Sequence, residues 1–155
     1  MHKEVIEFQG LDKTVMSQDI LKDSSALKIF TRKPRILLIE DSPIIQRVHV
    51  GFLEWLECLV DVVDCGEKAL QADINNYDLV FMDIGLPDID GFAVTKKMRA
   101  KENETRRLPI IALTAYGDLL MDEAKEAGID EVLVKPTPPE ELEEVLKRWL
   151  PCLLR

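Results

Sequence analysis

Leu79-Val80-Phe81-Met82-Asp83-Ile84-Gly85-Leu86-Pro87-Asp88-Ile89-Asp90-Gly91-Phe92 opens on four apolar residues, closes that run with a carboxylate and passes through a Pro- and Gly-bearing loop. A run this short, apolar on both parities and bounded by polar residues, reads as a strand buried on both faces. Three more runs have the same character: Ile36-Leu37-Leu38-Ile39, Pro109-Ile110-Ile111-Ala112-Leu113 and Val132-Leu133-Val134. A weaker one lies at Leu59-Val60-Asp61-Val62-Val63. Helical patterns separate them. After Pro43, the residues Ile44, Ile45, Val48, Phe52, Trp55, Leu56 and Leu59 recur at spacings of three and four, which places them on one helix face. The spacing predicts further helices over 66–74, 92–100 and 118–127, the last stopped by Gly128 in a left-handed cap. A fifth helix follows Thr137, with Thr137 and Glu140 in capping-box spacing, Pro138 in the first turn and a run of glutamates toward the positive end of the dipole.

Strands alternating with helices in this way call for an α/β fold with a parallel sheet covered on both faces by right-handed crossovers. Sites in such folds form beyond the carboxyl ends of the strands. Those ends carry Glu40-Asp41, Asp83, Thr114-Ala115 and Lys135-Pro136. Three carboxylates side by side repel and raise one another's pKa unless a cation joins them. A hard divalent ion resolves this, and magnesium suits carboxylate, carbonyl and water ligands. Such an ion beside a lysine and a hydroxyl makes a place to stabilise a phosphoryl group.

The chain has 155 residues, 46% hydrophobic and 32% charged, with a net charge of −9. That size supports one core without disulfides, and no apolar run approaches the ~18 residues of a membrane span. The acidic balance argues against direct nucleic-acid binding and against contact with an anionic membrane. Cys58, Cys65 and Cys152 show no metal-ligand spacing, and the first residues lack a secretory pattern. Together these point to a reduced, cytoplasmic setting. Residues 1–33 have scattered apolar positions without a clear period and read as a linker or extension, with one short helix around 17–30; residues 34–155 form the folded domain.

The set Glu40-Asp41, Asp83, Thr114-Ala115 and Lys135-Pro136, in this order and strand phase, resembles the receiver domain of bacterial response regulators (CheY-like). The stretch from Val80 to Phe92 is similar to that family's phosphoacceptor segment. Around Ala112-Leu113-Thr114-Ala115 and Asp130 to Pro136 the similarity is strongest to receivers of hybrid sensor histidine kinases. The resemblance implies a flavodoxin-like (βα)5 three-layer sandwich whose five-stranded parallel sheet has the order 2-1-3-4-5. It implies that Asp83 takes a phosphoryl group from a phosphohistidine, that Thr114 and Lys135 contact phosphoryl oxygens, and that Glu40, Asp41, Asp83 and the Gly85 backbone carbonyl hold Mg2+. The implied partners are a histidine kinase and/or a histidine phosphotransfer domain, engaging the first helix and the loop after Lys135 around Ile44, Ile45 and Pro136. It implies no enzyme activity beyond the domain's own phosphorylation and dephosphorylation.

Two features stand apart from that pattern. The fifth-strand position that is aromatic in many receivers is Val132, and Tyr116 lies two residues past Thr114 without being that position. Asp90 reads as the cap of the third helix, His49 as a packing or surface histidine, and Trp55 and Trp149 as packing residues. The alternative reading is an inactive receiver-like protein-interaction module. A flavodoxin is disfavoured by the absence of a phosphate-cradling loop after the first strand, and a metal-dependent phosphatase by the absence of a D-x-D pair.

Overall fold

The computed structural model describes residues 29–116 and 120–155. The expected helix around 17–30 and the Asp118 start of the fourth helix fall outside these residues. The elements alternate as anticipated: β1 (Arg35–Ile39), α1 (Pro43–Trp55), β2 (Leu59–Val63), α2 (Gly66–Gln71), β3 (Leu79–Asp83), α3 (Gly91–Lys101), β4 (Ile110–Thr114), α4 (Met121–Ala127), β5 (Glu131–Val134) and α5 (Pro139–Trp149). All strand pairs are parallel, in the order β2-β1-β3-β4-β5. No helix among the described residues is long and apolar enough to cross a membrane.

Strand alternation divides the core into two layers. Ile36, Leu38, Leu79, Phe81, Ile111, Leu113 and Leu133 face α1 and α5, meeting Phe52, Leu53, Leu142, Val145 and Leu146. Leu37, Ile39, Val80, Met82, Ile110 and Ala112 face the other way, toward Ala69, Val94, Met98, Ala124 and Ala127. Each large side chain buried here contributes ~1.5–3 kcal/mol. The central strands β1, β3 and β4 therefore read as continuous apolar runs because both their faces are covered. β2 departs from that expectation. It is the edge strand, and Leu59 and Val62 are exposed, since it has one neighbour and less helix cover.

Local chemistry sets the helix ends. Ser42 accepts the Ile45 N–H and Pro43 follows it, so α1 starts directly after the acid pair. Asp90 caps α3 through the Ala93 N–H at 2.9 Å, as read from the sequence. Gly128 ends α4 with φ +99. α2 stops at Gln71, short of the expected 74, because Asp73 caps a separate 3-10 turn at Ile74–Asn76. The capping box expected at Thr137 does not form: Pro138 is the cap residue, Pro139 occupies the first turn, and no side chain caps the helix. The Thr137 hydroxyl donates to the Val134 carbonyl at 3.0 Å.

The segment just before β1 is docked. Phe30 is 5% exposed and joins the core beside α5, and it forms an antiparallel bridge with Leu154. Arg32 makes a two-pronged ion pair with Asp78 at 2.9 and 2.8 Å.

Candidate functional site

The carboxyl ends of β1, β3, β4 and β5 converge because the strands are parallel neighbours in register. Asp83 is the last residue of β3, and Glu40 and Asp41 follow β1. Carboxylate oxygens of Glu40, Asp41 and Asp83 lie within 4.8 Å of one another. Glu40 is 0% and Asp83 2% exposed, whereas Asp41 faces solvent. Lys135, the residue after β5, extends its ammonium to Glu40 Oε1 and Asp83 Oδ1, both at 3.1 Å.

The two oxygens of Asp83 differ. Oδ1 accepts from Lys135 and from the Gly85 N–H at 3.0 Å. Oδ2 is buried and meets no hydrogen-bond donor. Buried carboxylate oxygens are normally satisfied, so an unpartnered one beside two further acids is the mark of a site built for a cation. The charge pattern agrees. Burial, reinforced by the neighbouring Asp83, pushes Glu40 up to about 7 against the opposing pull of Ser42 and Lys135. Burial favours the neutral form of Asp83 too, but its contacts with Asp41, the Gly85 amide and Lys135 outweigh it and hold Asp83 low. Lys135 is raised: the attraction of Asp83 and Glu40 overcomes its partial burial. One ammonium faces three acids, and the donor set fits a small oxygen-liganded divalent ion.

Thr114 ends β4 and is 5% exposed. Its Oγ1 accepts the Tyr116 N–H at 3.1 Å, and its carbonyl accepts the Lys135 N–H at 2.9 Å. Glu40, Asp41, Asp83 and Lys135 are thus gathered by direct contact, with Thr114 joined to Lys135 through the backbone. Tyr116 stands 67% exposed. Val132 packs against the α3-side core layer. Ile44 is 74% exposed and Val134 54%, and Ile45 is half-buried.

One residue that shapes the site was not singled out in the sequence. Asp88 accepts the Gly66 and Glu67 N–H groups at 2.8 and 2.9 Å, tying the loop after the acceptor to the start of α2. Those two amides hold its carboxyl down at about 2. Gly91 has no room for a side chain, because a Cβ there would stand 2.6 Å from the Asp83 carbonyl. The Gly91 of the quoted stretch is a legible signal for close packing, whereas Asp88 carries none. His49 is a buried packing histidine, and its Nε2 accepts the Thr137 N–H at 3.1 Å. Trp149 packs against the core and donates from Nε1 to Glu131 at 2.6 Å.

Comparison with known proteins gives the same picture. Residues 36–147 match the family model described as response regulator receiver domain. "Transcription factor prr1" of Schizosaccharomyces pombe is 36% identical over 131 residues, covering 82% of this chain and 23% of that protein. "Hybrid signal transduction histidine kinase L" of Dictyostelium discoideum is 31% identical over 153 residues, 94% of this chain and 9% of that protein. The chain therefore spans less than a quarter of either relative. Among solved structures, the receiver domain of sensor histidine kinase PA1611 from Pseudomonas aeruginosa, described with a magnesium ion in its active-site cleft, superposes with a TM-score of 0.70 at 38% identity. It covers 77% of this chain and 98% of that one. The Saccharomyces cerevisiae Ssk1 receiver, crystallised with the histidine phosphotransfer protein Ypd1, gives 0.68 at 26% identity, covering 79% and 91%. An acid triad at the strand ends, a lysine bridging two of its members, the 2-1-3-4-5 sheet and the family match agree, and the chain belongs to the response regulator receiver domains of two-component and phosphorelay signalling.

Proposed function

We propose that Asp83 is the phosphoacceptor, that Glu40, Asp41, Asp83 and the Gly85 carbonyl hold Mg2+, and that Thr114 and Lys135 contact the phosphoryl oxygens. The observation that carries this reading is the buried, unpartnered Oδ2 of Asp83 amid three acids and one ammonium. An Asp83 carboxylate oxygen attacks the phosphorus of a phosphohistidine, the O–P bond forms as the N–P bond breaks, and the imidazole leaves with its electron pair and takes up a proton. When bound, magnesium supplies charge neutralisation that lets an anionic carboxylate approach an anionic phosphoryl group.

The chain's own groups do the rest. The Gly85 N–H and Lys135 keep Asp83 ionised, and therefore nucleophilic, despite its burial. Lys135 already stands at Asp83, so its charge is in place where phosphoryl negative charge accumulates, without reorganisation. Thr114 exchanges its bond to the Tyr116 amide for one to a phosphoryl oxygen.

The partner is a histidine phosphotransfer domain or a histidine kinase. It docks on α1 and the loop after Lys135, where Ile44 and Pro136 are exposed and Ile45 is half-buried. The domain acts in the cytoplasm and turns over no substrate other than its own acyl phosphate. Residues 34–155 form the receiver domain and residues 1–33 a linker or extension, of which Phe30 packs into the core of the domain. Intact-protein mass after incubation with acetyl phosphate tests the chemistry. One added phosphoryl group, requiring both Mg2+ and Asp83, is expected; no addition to the native protein, with no beryllium fluoride binding, leaves only a contact module.

A further inference from the structure

Helix α1 turns two polar side chains toward the rim of the site. Gln46 donates from Nε2 to the Glu40 carbonyl at 2.6 Å. His49, three residues on and so on the same face, is 1% exposed. Its helix neighbours Phe52 and Leu53 are core residues, and an apolar side chain would suit position 49 on packing grounds alone. The reason for a nitrogen there is the Thr137 N–H, which His49 Nε2 accepts. A buried amide left without an acceptor is costly, and among the described residues His49 is the acceptor it meets.

That bond closes a ring of contacts around Lys135. Thr137 is 0% exposed, and its hydroxyl donates to the Val134 carbonyl. The Lys135 N–H donates to the Thr114 carbonyl. The backbone from 134 to 137 is therefore pinned to β4 on one side and to α1 on the other. Lysine has a long, flexible stem, and its ammonium is only as well placed as the backbone from which it departs. Acceptance at Nε2 fixes the proton on Nδ1. Burial, assisted by the positive charge of Lys135, keeps the ring neutral by lowering its pKa to about 4, so the acceptor persists at neutral pH.

We propose that His49 is a positioning residue for phosphoryl transfer: by accepting the Thr137 N–H it fixes the 134–137 loop and thereby sets the Lys135 ammonium against Asp83 and Glu40. The proposal rests on the reading of Lys135 and Asp83 given above.

The test uses the full chain with acetyl phosphate at saturating Mg2+. His49→Leu keeps bulk and loses the acceptor, and His49→Gln places an amide oxygen near the position of Nε2. The leucine variant is expected to phosphorylate about tenfold more slowly, in line with the sensitivity of such steps to small displacements. The glutamine variant should recover to within about threefold, and in a Lys135→Ala background His49→Leu should slow the reaction no further. Should leucine prevent folding, His49→Asn, whose oxygen is too short to reach, provides the same contrast with glutamine. Equal rates for acceptor-bearing and acceptor-lacking variants would overturn the proposal, as would a loss of the same size in the Lys135→Ala background. Failure of the native protein to take up phosphate would instead remove the underlying reading, and the proposal with it.

Discussion

Glu40→Gln should stabilise the metal-free protein, and by an amount that grows with pH. The Glu40 side chain is completely buried, and its carboxyl is lifted to about 7 from its ordinary 4.5 by burial and by Asp83. A carboxyl whose folded pKa is raised takes up protons on folding between those two values. Its contribution is most favourable below pH 4.5 and is lost as pH rises through 7. At ~1.4 kcal/mol per pKa unit, the ionised carboxylate destabilises the apo protein by about 3 kcal/mol above pH 7. Glutamine keeps the shape and an acceptor for the Ser42 N–H but carries no charge. The gain over the native protein should approach that figure at pH 8 in EDTA, or roughly 5–10 °C in Tm, and shrink toward zero near pH 4.5. Urea or thermal unfolding of both proteins across that range provides the measurement, and taking the difference cancels the groups remote from Glu40, leaving Glu40 with its partners Asp83 and Lys135. A further expectation is that added Mg2+ raises the Tm of the native protein more than that of the variant, because ligand linkage scales with affinity. A glutamine variant no more stable than the native protein at pH 8, or a gain independent of pH, would refute the reasoning.

Other perturbations have equally definite outcomes. Phe30→Ala removes a buried ring from the α1–α5 layer and should cost ~3–5 kcal/mol in urea unfolding; a cost below about 1 kcal/mol would contradict its place in that core. His49 is lowered to about 4 from 6.5 by burial, so its contribution is intact above pH 6.5 and is lost as pH falls through 4. This amounts to about 3 kcal/mol, and His49→Gln should abolish that acid sensitivity when its unfolding is compared with the native protein from pH 7 to 4. Gly91→Ala forces a methyl group against the Asp83 and Ile84 backbone. It should cost ~1–3 kcal/mol of stability and slow phosphoryl uptake, both read in parallel on one preparation.

The fold was legible because its decisive signal is local. β1, β3 and β4 are buried on both faces and so appear as unbroken apolar runs, and the residue after each run lands at one end of the sheet. The same rule brought Glu40, Asp41, Asp83 and Lys135 to notice before any contact was known. What escaped depends on contacts between distant segments. Asp88 caps α2 from 22 residues away, and His49 meets Thr137 across 88; neither leaves a periodic trace. Arg99 binds the Gly128 carbonyl, Glu102 and Asp130 at once, clamping α3 to the end of α4, and its sequence neighbourhood resembles any charged helix terminus. The capping-box spacing at Thr137 misled because the helix begins one residue later, with Pro138 at the cap position. β2 was the faintest strand because an edge position tolerates Asp61 and exposed Leu59.

The central claim is that one carboxylate, Asp83, receives the phosphoryl group. Phosphorylation followed by borohydride reduction converts an aspartyl phosphate to homoserine, which peptide mass mapping locates. Homoserine at position 83 alone, formed only when Mg2+ was present and absent from Asp83→Asn, is the predicted result. Homoserine at position 41, or phosphoryl uptake that survives Asp83→Asn, would contradict the account.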